Sequence, residues 1–384
     1  MHPWAWWAWA VGLAVAASGT TNPLLLVLVA APLVVVVLRR RTDAPWARSL
    51  TAYLALAGFV LAIRLVFQVL VGGGYGGTVL FTLPAIPLPA WAAGVRLGGS
   101  VTAEALLYGG YDALRLSVML LAVGAANALA NPRQALRSVP AALYEASVAV
   151  TIALNVAPQL IESAARVRRA RRLRGGTGRG PGAITAIVMP VLSDAVDRSL
   201  ALAAGMESRG FGRTRGAPVP GALPVMLGSV SVALLGVFLL LGSPWPAPAL
   251  GLLALGAAGT VWGLRRAGRR LHVTRYRPAP WRRRETVVAA CGVLAAVVVL
   301  VTAGLDPAAL GPVLTGWLDP AAYRPATDPP AWPALTPSML LVPALALLPL
   351  ALTGPAAPTD APASRTDART RSLRPRPERE PVAA

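Results

Sequence analysis

Long apolar runs recur along this chain, and they constrain its fold more than any other feature. The sequence is 55% hydrophobic and only 14% charged, whereas soluble domains carry about 25% charged residues. About 20 consecutive apolar residues are enough to cross a bilayer as a helix. We therefore predict an all-α, polytopic integral membrane protein with about six to eight transmembrane helices. The apolar stretches are residues 4–18, 23–38, 50–71, 101–130, 223–241, 247–264, 286–304 and 338–352.

The first two stretches and the last one fit the requirements of a membrane span less well than the others. The first two stretches are short for a full crossing, so they are predicted to form either a tight hairpin around residues 20–23 or a shallow pair in the membrane. The last stretch contains Pro343 and Pro349, which disfavour a helix interior. Four tryptophans near the start are typical of interfacial anchors rather than of a cleavable signal peptide; they are Trp4, Trp6, Trp7 and Trp9.

The placement of arginine predicts the orientation. All 36 basic residues are arginine. If the N-terminus is cytoplasmic, the inner segments are 39–49, 131–222, 265–285 and the tail from 353, and they hold 32 of the arginines. The outer segments hold only Arg96 and Arg324. This strong bias fits the positive-inside rule and predicts that both termini are cytoplasmic.

The same pattern predicts five parts of the chain. Residues 131–222 are the longest non-spanning part, and we predict that they form a cytoplasmic domain of amphipathic helices. Residues 1–130 and 223–304 are predicted to form N-terminal and C-terminal groups of transmembrane helices. Residues 305–353 are predicted to form an outer Pro-rich loop and a possible last span, and residues 354–384 a disordered Arg/Pro-rich tail.

Three helices are predicted within residues 131–222. Asn131-Pro132 is typical of a helix start, and Pro158 should kink or break the first helix. Gly175-Gly176 should end the second helix, and a flexible link is expected at 177–182. The second helix is predicted to align Leu160, Ala164, Val167 and Arg171 on one side. The third should carry an apolar stripe of Val188, Leu192, Ala195, Ser199, Leu202 and Met206, and end at Gly210.

An Arg-Gly pair ends two of these predicted helices. Leu173-Arg174-Gly175 ends the second helix, and Ser208-Arg209-Gly210 ends the third. An arginine just before a helix-ending glycine lies at the tip of a rigid rod, where it can insert into a partner. The alternative is that each arginine only complements the helix dipole and approaches anionic headgroups. On the third helix, Asp194 and Arg198 are spaced i,i+4 and can pair.

These residues resemble a known family. The second Arg-Gly motif is similar to that of the T component of energy-coupling factor (ECF) transporters, with serine where alanine is usual. The first motif has Leu173 in the alanine position. The resemblance covers about residues 1–305. The matching residues are His2-Pro3, Thr21-Asn22-Pro23, Asp194-Ala195, Arg198, Leu200, Leu202-Ala203 and Met206-Glu207-Ser208-Arg209-Gly210-Phe211-Gly212.

The resemblance implies a coupling role in a bacterial plasma-membrane importer for a vitamin or a transition-metal ion. The T component links two ABC-type ATPase subunits, identical or different, to a small membrane-embedded substrate-binding S component. It carries no catalysis and needs no cofactor. The residues implied to contact the ATPases are Arg174, Gly175, Met206, Glu207, Arg209 and Gly210. Asp194 and Arg198 would support the coupling helix.

Two arginines fall inside predicted spans. Arg64 lies within residues 50–71, and Arg115 lies within residues 101–130, three residues after Asp112. Charges inside spans are costly and usually face protein or water. They are predicted either to contact the S component or lock two helices together, or to form a satisfied structural pair or reach the interface.

Other chemistry finds less support in the sequence. The glycine-rich run 72–77 lacks the Lys-Ser/Thr of a phosphate-binding loop, and His2 and His272 are too few for a dedicated metal site. A membrane-embedded transferase would need acidic residues with catalytic spacing, and a secondary transporter would show internal repeats of its spans. Both remain alternatives. The basic tail favours anionic lipid over nucleic acid as its partner.

Overall fold

The computed structural model describes residues 1–41, 49–71, 77–87, 96–175, 180–211, 221–242, 246–268, 280–305 and 312–354. Across these ranges the chain is almost entirely helical, which confirms the all-α prediction. The one sheet in the described part is an antiparallel pair, β1 (Val79–Pro87) with β2 (Arg96–Thr102). The helices are α1 (Pro3–Ser18), α2 (Pro23–Arg40), α3 (Ser49–Val71), α4 (Ala103–Leu129), α5 (Pro132–Arg137), α6 (Tyr144–Leu173), α7 (Pro181–Ser208), α8 (Ala222–Gly242), α9 (Pro246–Gly268), α10 (Arg283–Ala303), α11 (Pro312–Leu318) and α12 (Pro337–Leu352).

Each of the eight apolar stretches forms a helix, and six described helical segments are long and apolar enough to cross a membrane. Five of the six match predicted spans. The sixth, Ala141–Leu173, lies in the part predicted to be cytoplasmic. Helices α1 and α12 have 16 residues each and fall short of that length, and α9 is not among the six. The six are Pro23–Arg40, Leu50–Val71, Ala103–Leu129, Ala141–Leu173, Leu223–Leu240 and Arg283–Ala303.

The chain divides into two compact units. The first unit comprises Met1–Pro132 and Pro280–Ala384, and the second comprises Arg133–Ala279.

In the first unit, α1 and α10 cross with their backbones in contact. A Cβ atom added at Gly12 would lie 2.3 Å from the carbonyl carbon of Gly292, and one added at Gly292 would lie 2.5 Å from the Cα of Trp9. Trp9 and Leu13 are fully buried beside this crossing. Because α1 packs mainly on α10 and α4, the predicted tight hairpin of the first two helices is wrong.

The turn before α2 is joined to the C-terminal part of the chain. Asn22 is fully buried, and its side-chain oxygen accepts from the amide of Leu24 at 2.9 Å, which caps α2. Its amide nitrogen donates to the carbonyls of Ala322 and Ala334, both at 2.8 Å. Thr20 donates to a third carbonyl, that of Tyr323, at 2.7 Å. All polar atoms of the Asn22 side chain are therefore satisfied by the unit itself.

Helix α12 is part of the core of this unit. It runs unbroken through Pro343 and Pro349 and packs against α10 and α2. At its far end, the Arg40 guanidinium donates to the carbonyl of Leu350, which takes up one of the carbonyls that a helix C-terminus leaves free. The predicted possible last span is therefore a packed helix.

Helices α3 and α4 form an antiparallel pair. Near one end, the amide of Asn127 donates to the Tyr53 hydroxyl at 2.7 Å. In the middle, the Ser117 hydroxyl donates to the carbonyl of Ala57 at 2.9 Å. The β1–β2 ribbon joins the other end of the pair.

The second unit corrects the predicted start of its helices. Pro132 begins only the short helix α5, and the chain turns at residues 138–140 before a 3-10 turn, Ala141–Leu143, leads into α6. Helix α6 then runs without a break through Pro158. The two helices predicted on either side of that proline are therefore one helix. Gln159 and Ser163, just after the proline, contact α7, although the proline removes one backbone hydrogen bond of α6.

Helices α8 and α9 complete this unit as a close antiparallel pair. A Cβ atom at Gly236 would lie 2.7 Å from the amide of Leu253, and one at Gly256 would lie 2.4 Å from the amide of Ala233. Small residues at these positions let the two backbones approach.

Some predictions fall outside the described residues. They concern most of the glycine-rich run 72–77, the first half of the link 177–182, Gly176, Gly212, His272 and all but the first residue of the tail 354–384.

Candidate docking site at two helix ends

Helices α6 and α7 pack side by side in opposite directions, and three polar contacts define their alignment. The Arg171 guanidinium donates to the carbonyl of Ala183 at 2.7 Å. The Ser163 hydroxyl donates to the Asp194 carboxylate at 2.8 Å. Arg198 lies 3.4 Å from the side-chain oxygen of Gln159. As the residue number falls along α6 it rises along α7, so the C-terminus of each helix lies at the opposite end of the pair.

This arrangement separates the two Arg-Gly tips. Arg174 follows the last residue of α6, and Arg209 follows the last residue of α7. Helix α7 has 28 residues, which at 1.5 Å per residue gives about 42 Å. The pair of helices is therefore a rod with one arginine at each end, about 40 Å apart.

The two tips have nearly the same backbone conformation. Arg174 has φ −88° and ψ 12°, and Arg209 has φ −88° and ψ 7°. The glycines that follow have φ +78° and +76°, a left-handed conformation that disfavours any residue with a Cβ atom. The predictions that Gly175 and Gly210 end the helices are confirmed. Both helices therefore end in the glycine C-cap with a left-handed residue at C′, which places each arginine at the last position of its helix end.

Hydrogen bonds hold the tip of α7 in a Schellman motif. The amide of Phe211 donates to the carbonyl of Met206 at 3.0 Å, and that of Gly210 donates to the carbonyl of Glu207 at 2.9 Å. At the tip of α6, the Gly175 amide makes the equivalent bond to the carbonyl of Arg172 at 3.2 Å. Both turns are therefore fixed by the backbone, which leaves the arginine side chains uninvolved in them.

The tips are open to a partner. Arg174 and Arg209 are exposed, and neither guanidinium has a hydrogen-bonding or ion-pair partner among the described residues. A Cβ atom at Gly175 or Gly210 would meet nothing within 4 Å. Leu173, just before the first arginine, is 90% exposed. An open approach and unpaired guanidinium groups are what insertion into an acceptor-lined groove requires.

An aromatic contact supports the second tip. The rings of Phe211 and Tyr144 lie 6.3 Å apart, within the range of favourable aromatic pairs. Tyr144 is the first residue of α6, so the tip of α7 rests on the start of its partner helix. Sequence reasoning missed this contact, because nothing in the sequence sets the alignment of the two helices.

Asp194 and Arg198 form the predicted i,i+4 ion pair, with a shortest distance of 2.8 Å. The carboxylate also accepts the bond from Ser163 on the other helix. This hydrogen bond and the nearby Arg198 guanidinium lower the pKa of Asp194 below its ordinary value, against a smaller opposing effect of burial. Asp194 therefore joins α6 to α7, and Arg198 orients it.

The predicted face of α6 agrees with its half-buried residues, whereas the predicted stripe of α7 does not. The residues predicted to lie on one side of α6 are all half-buried: Leu160, Ala164, Val167 and Arg171. On α7 the half-buried positions recur at a helical interval and include Ile187, Val191 and Asp194. The predicted stripe is instead largely exposed: Val188 is 50% exposed and Leu192 is 55% exposed.

The three charged residues inside predicted spans come together. The Arg64 guanidinium on α3 lies 2.6 Å from the Asp112 carboxylate on α4, and Arg115 binds the other oxygen of the same carboxylate. The predicted pair of Asp112 with Arg115 is confirmed. Of the alternatives left open for Arg64, the structure shows a bond between helices. No group of three or more metal-ligating side chains occurs within the described ranges.

These features define a multi-pass, all-α membrane protein with a pair of arginine-tipped helices. The chain belongs to the cobalt transport protein family CbiQ, whose model matches residues 3–218, more than half of the chain. This is the family of ECF transporter T components, as the motifs suggested. The match extends from α1 through α7 and includes both tips. A comparison with individually curated proteins finds no significant match.

Proposed function

We propose that this protein is the transmembrane coupling subunit of an ECF-type importer and transmits ATP-driven motion to a substrate-binding membrane subunit. The observation that carries the proposal is the pair of equivalent arginine tips at opposite ends of the α6–α7 rod. Two tips with the same geometry match two ATPase subunits, identical or different, each presenting the same kind of groove.

The chemistry of the tips suits such grooves. A guanidinium group carries five N–H donors in a planar fork and stays charged at every physiological pH. Inserted into a cleft lined by carbonyls or carboxylates, it replaces water with several charge-assisted hydrogen bonds. Met206 and Glu207 lie in the last turn of α7, within reach of the rim of such a groove. Asp194 and Arg198 would keep the two helices moving as one rod.

The proposal also sets the orientation. With 131–222 on the cytoplasmic side, 32 of the 36 arginines are cytoplasmic, in accord with the positive-inside rule. Helix α6 is long and apolar enough to span a membrane. However, five of its last eight residues are arginines, and its buried side carries a polar contact, the hydrogen bond from Ser163 to Asp194. We place the α6–α7 rod along the inner surface of a bacterial plasma membrane, with its exposed apolar residues toward lipid or protein.

The cargo is proposed from the family alone. Its description as a cobalt transport protein favours a transition-metal ion over a vitamin. Metal ligands would then belong to the substrate-binding subunit.

The first experiment is to purify this protein from its native membrane and identify the chains that accompany it. We expect ABC-type ATPase subunits together with a small, very apolar membrane protein. Purification without any ATPase would overturn the coupling proposal and favour a secondary transporter or a membrane-embedded transferase.

A second experiment tests the tips directly. Replacing Arg174 and Arg209 together by glutamate should abolish ATPase binding, because two carboxylates would enter grooves built for cations. A matched control replaces Arg168 and Arg169 by glutamate, which makes the same change in net charge at exposed positions of α6 more than one turn before its tip. Pull-down of the ATPases at the wild-type level by the tip variant would contradict the proposal, as would equal loss in the control.

A further inference from the structure

Three charged side chains meet between α3 and α4, and together they have a net charge of +1. Two guanidinium groups, Arg64 and Arg115, share the single carboxylate of Asp112. The described residues provide no second carboxylate in hydrogen-bonding or ion-pair contact with them. The carboxylate is nearly buried, with 12% of its side chain exposed, whereas 46% of the Arg64 side chain is exposed. The excess charge is therefore presented outward on α3.

The cluster lies well inside the apolar part of its helices. Arg64 is seven residues from Val71, the nearer end of α3, which places it about 10 Å from that end. Asp112 is nine residues from Ala103, the start of α4, or about 14 Å away. An uncompensated charge at this depth in lipid is unfavourable.

Arg64 is poorly placed to relieve this charge by reaching the headgroups. Side chains on a helix lean toward its N-terminus, which here points Arg64 away from the nearer end of α3. Reaching that end would also require breaking the 2.6 Å bond to Asp112. A lipid phosphate is therefore a poor counter-ion for Arg64 in its observed position.

The surface next to Arg64 on α3 is apolar toward the nearer end of the helix. Phe67, about one turn away, is 58% exposed, and Val71, two turns away, is 36% exposed. Phe59 and Val66 are also exposed but lie on the other side of α3. An exposed guanidinium at the border of an apolar helix face can supply the one charge contact of a helix-docking site.

We infer that Arg64, held by Asp112, is the anchor for a transmembrane helix of a partner membrane protein, which places an aspartate or glutamate beside it. The two helices would then share four charges in two pairs with no excess. In the importer proposed above the partner is the small substrate-binding subunit, so the identity of the partner rests on the proposed function. The need of Arg64 for a counter-ion does not depend on that function.

The test replaces Arg64 by leucine. The remaining Asp112–Arg115 pair is neutral, so the variant should insert and elute from a sizing column like the wild type. We expect the small membrane protein to co-purify at least tenfold less, with the ATPases retained. Arg64→Lys keeps the charge and should restore part of the binding. Arg41→Leu, at an exposed position after α2, removes the same charge elsewhere and should have no effect.

Two further measurements decide the outcome. A photo-crosslinking amino acid at Phe67 should capture the same small protein, whereas one at Leu340, an equally apolar and exposed position on α12, should not. The captured protein should carry an acidic residue within an apolar span, and neutralising that residue should reproduce the loss caused by Arg64→Leu. The crosslinking result stands even if Arg64→Leu misfolds.

Other results would overturn the inference. If Arg64→Leu recovers the small protein at the wild-type level, the excess charge has no role in docking. If the wild type in nanodiscs retains phosphatidylglycerol, and Arg64→Leu loses this lipid while the protein partner stays bound, the site binds a lipid headgroup.

A different result separates this inference from the proposed function. If the small protein is recovered without any ATPase, the inference about Arg64 stands and the importer proposal is wrong.

Discussion

Replacing Gly12 by alanine should destabilise the first unit, although alanine favours a helix by about 1 kcal/mol over glycine. The new Cβ atom would lie 2.3 Å from backbone atoms of Gly292, and ordinary contact begins near 3.4 Å. Helices α1 and α10 must therefore separate by about 1 Å, which forfeits a quarter to a half of each dispersion contact across the crossing. Overpacking of this kind costs about 3 kcal/mol, so the clash outweighs the gain in helix propensity.

The assay is thermal unfolding in detergent, followed by loss of the monodisperse elution peak. A net cost of about 2 kcal/mol corresponds to a fall of about 4–8 °C in Tm. Gly251→Ala is the matched control, because a Cβ atom there, also inside a helix, meets nothing within 4 Å. The control should keep or slightly raise the Tm. A Tm for Gly12→Ala equal to or above that of the control would refute the close crossing of the two helices.

Three other changes test separate parts of the chain. Asn22→Leu should destabilise the first unit by about 2–4 kcal/mol, because it leaves the carbonyls of Ala322 and Ala334 without their donor and removes a helix cap; an unchanged Tm would contradict the network. Deleting residues after Thr353 should leave substrate uptake nearly normal, and loss of uptake would show that the tail takes part in coupling. Since the pKa of Asp194 is lowered in the folded state, its stabilising effect is present above the unfolded pKa and lost as the pH falls through the folded value. In Asp194→Asn, stability measured by circular dichroism should therefore fall less steeply with decreasing pH in the acidic range. An unchanged pH dependence would show that the Asp194 carboxylate does not stabilise the pair of helices.

The sequence predicted helices better than it predicted their interruptions. Periodicity located the apolar face of α6 at Leu160 and Val167, and glycine located its end at Gly175. The predicted break at Pro158 was wrong, because the rule for proline describes an isolated helix. In the folded unit α6 continues through Pro158, and Gln159 and Ser163 just after it contact α7.

Contacts between distant residues could not be predicted in the same way. The i,i+4 pair of Asp194 with Arg198 and the i,i+3 pair of Asp112 with Arg115 follow from spacing on one helix. The bonds from Ser163 to Asp194 and from Arg64 to Asp112 depend on how two helices align, which one sequence does not contain. The candidate site was therefore predictable as two tips, but their separation was not.

The C-terminal segment carries no recognised motif, yet it supports the opening motif at Asn22. The family match stops at residue 218, yet Asn22, in the opening motif, donates both of its amide hydrogen bonds to the carbonyls of Ala322 and Ala334. An asparagine buried without those carbonyls would leave donors unpaired, at a cost of about 1–3 kcal/mol each. Since Arg40 at the other end of α2 also binds α12 through Leu350, both ends of α2 depend on the C-terminal segment. The segment therefore belongs to the folding unit that begins at α1, and its loss should disrupt the membrane unit rather than merely shorten it.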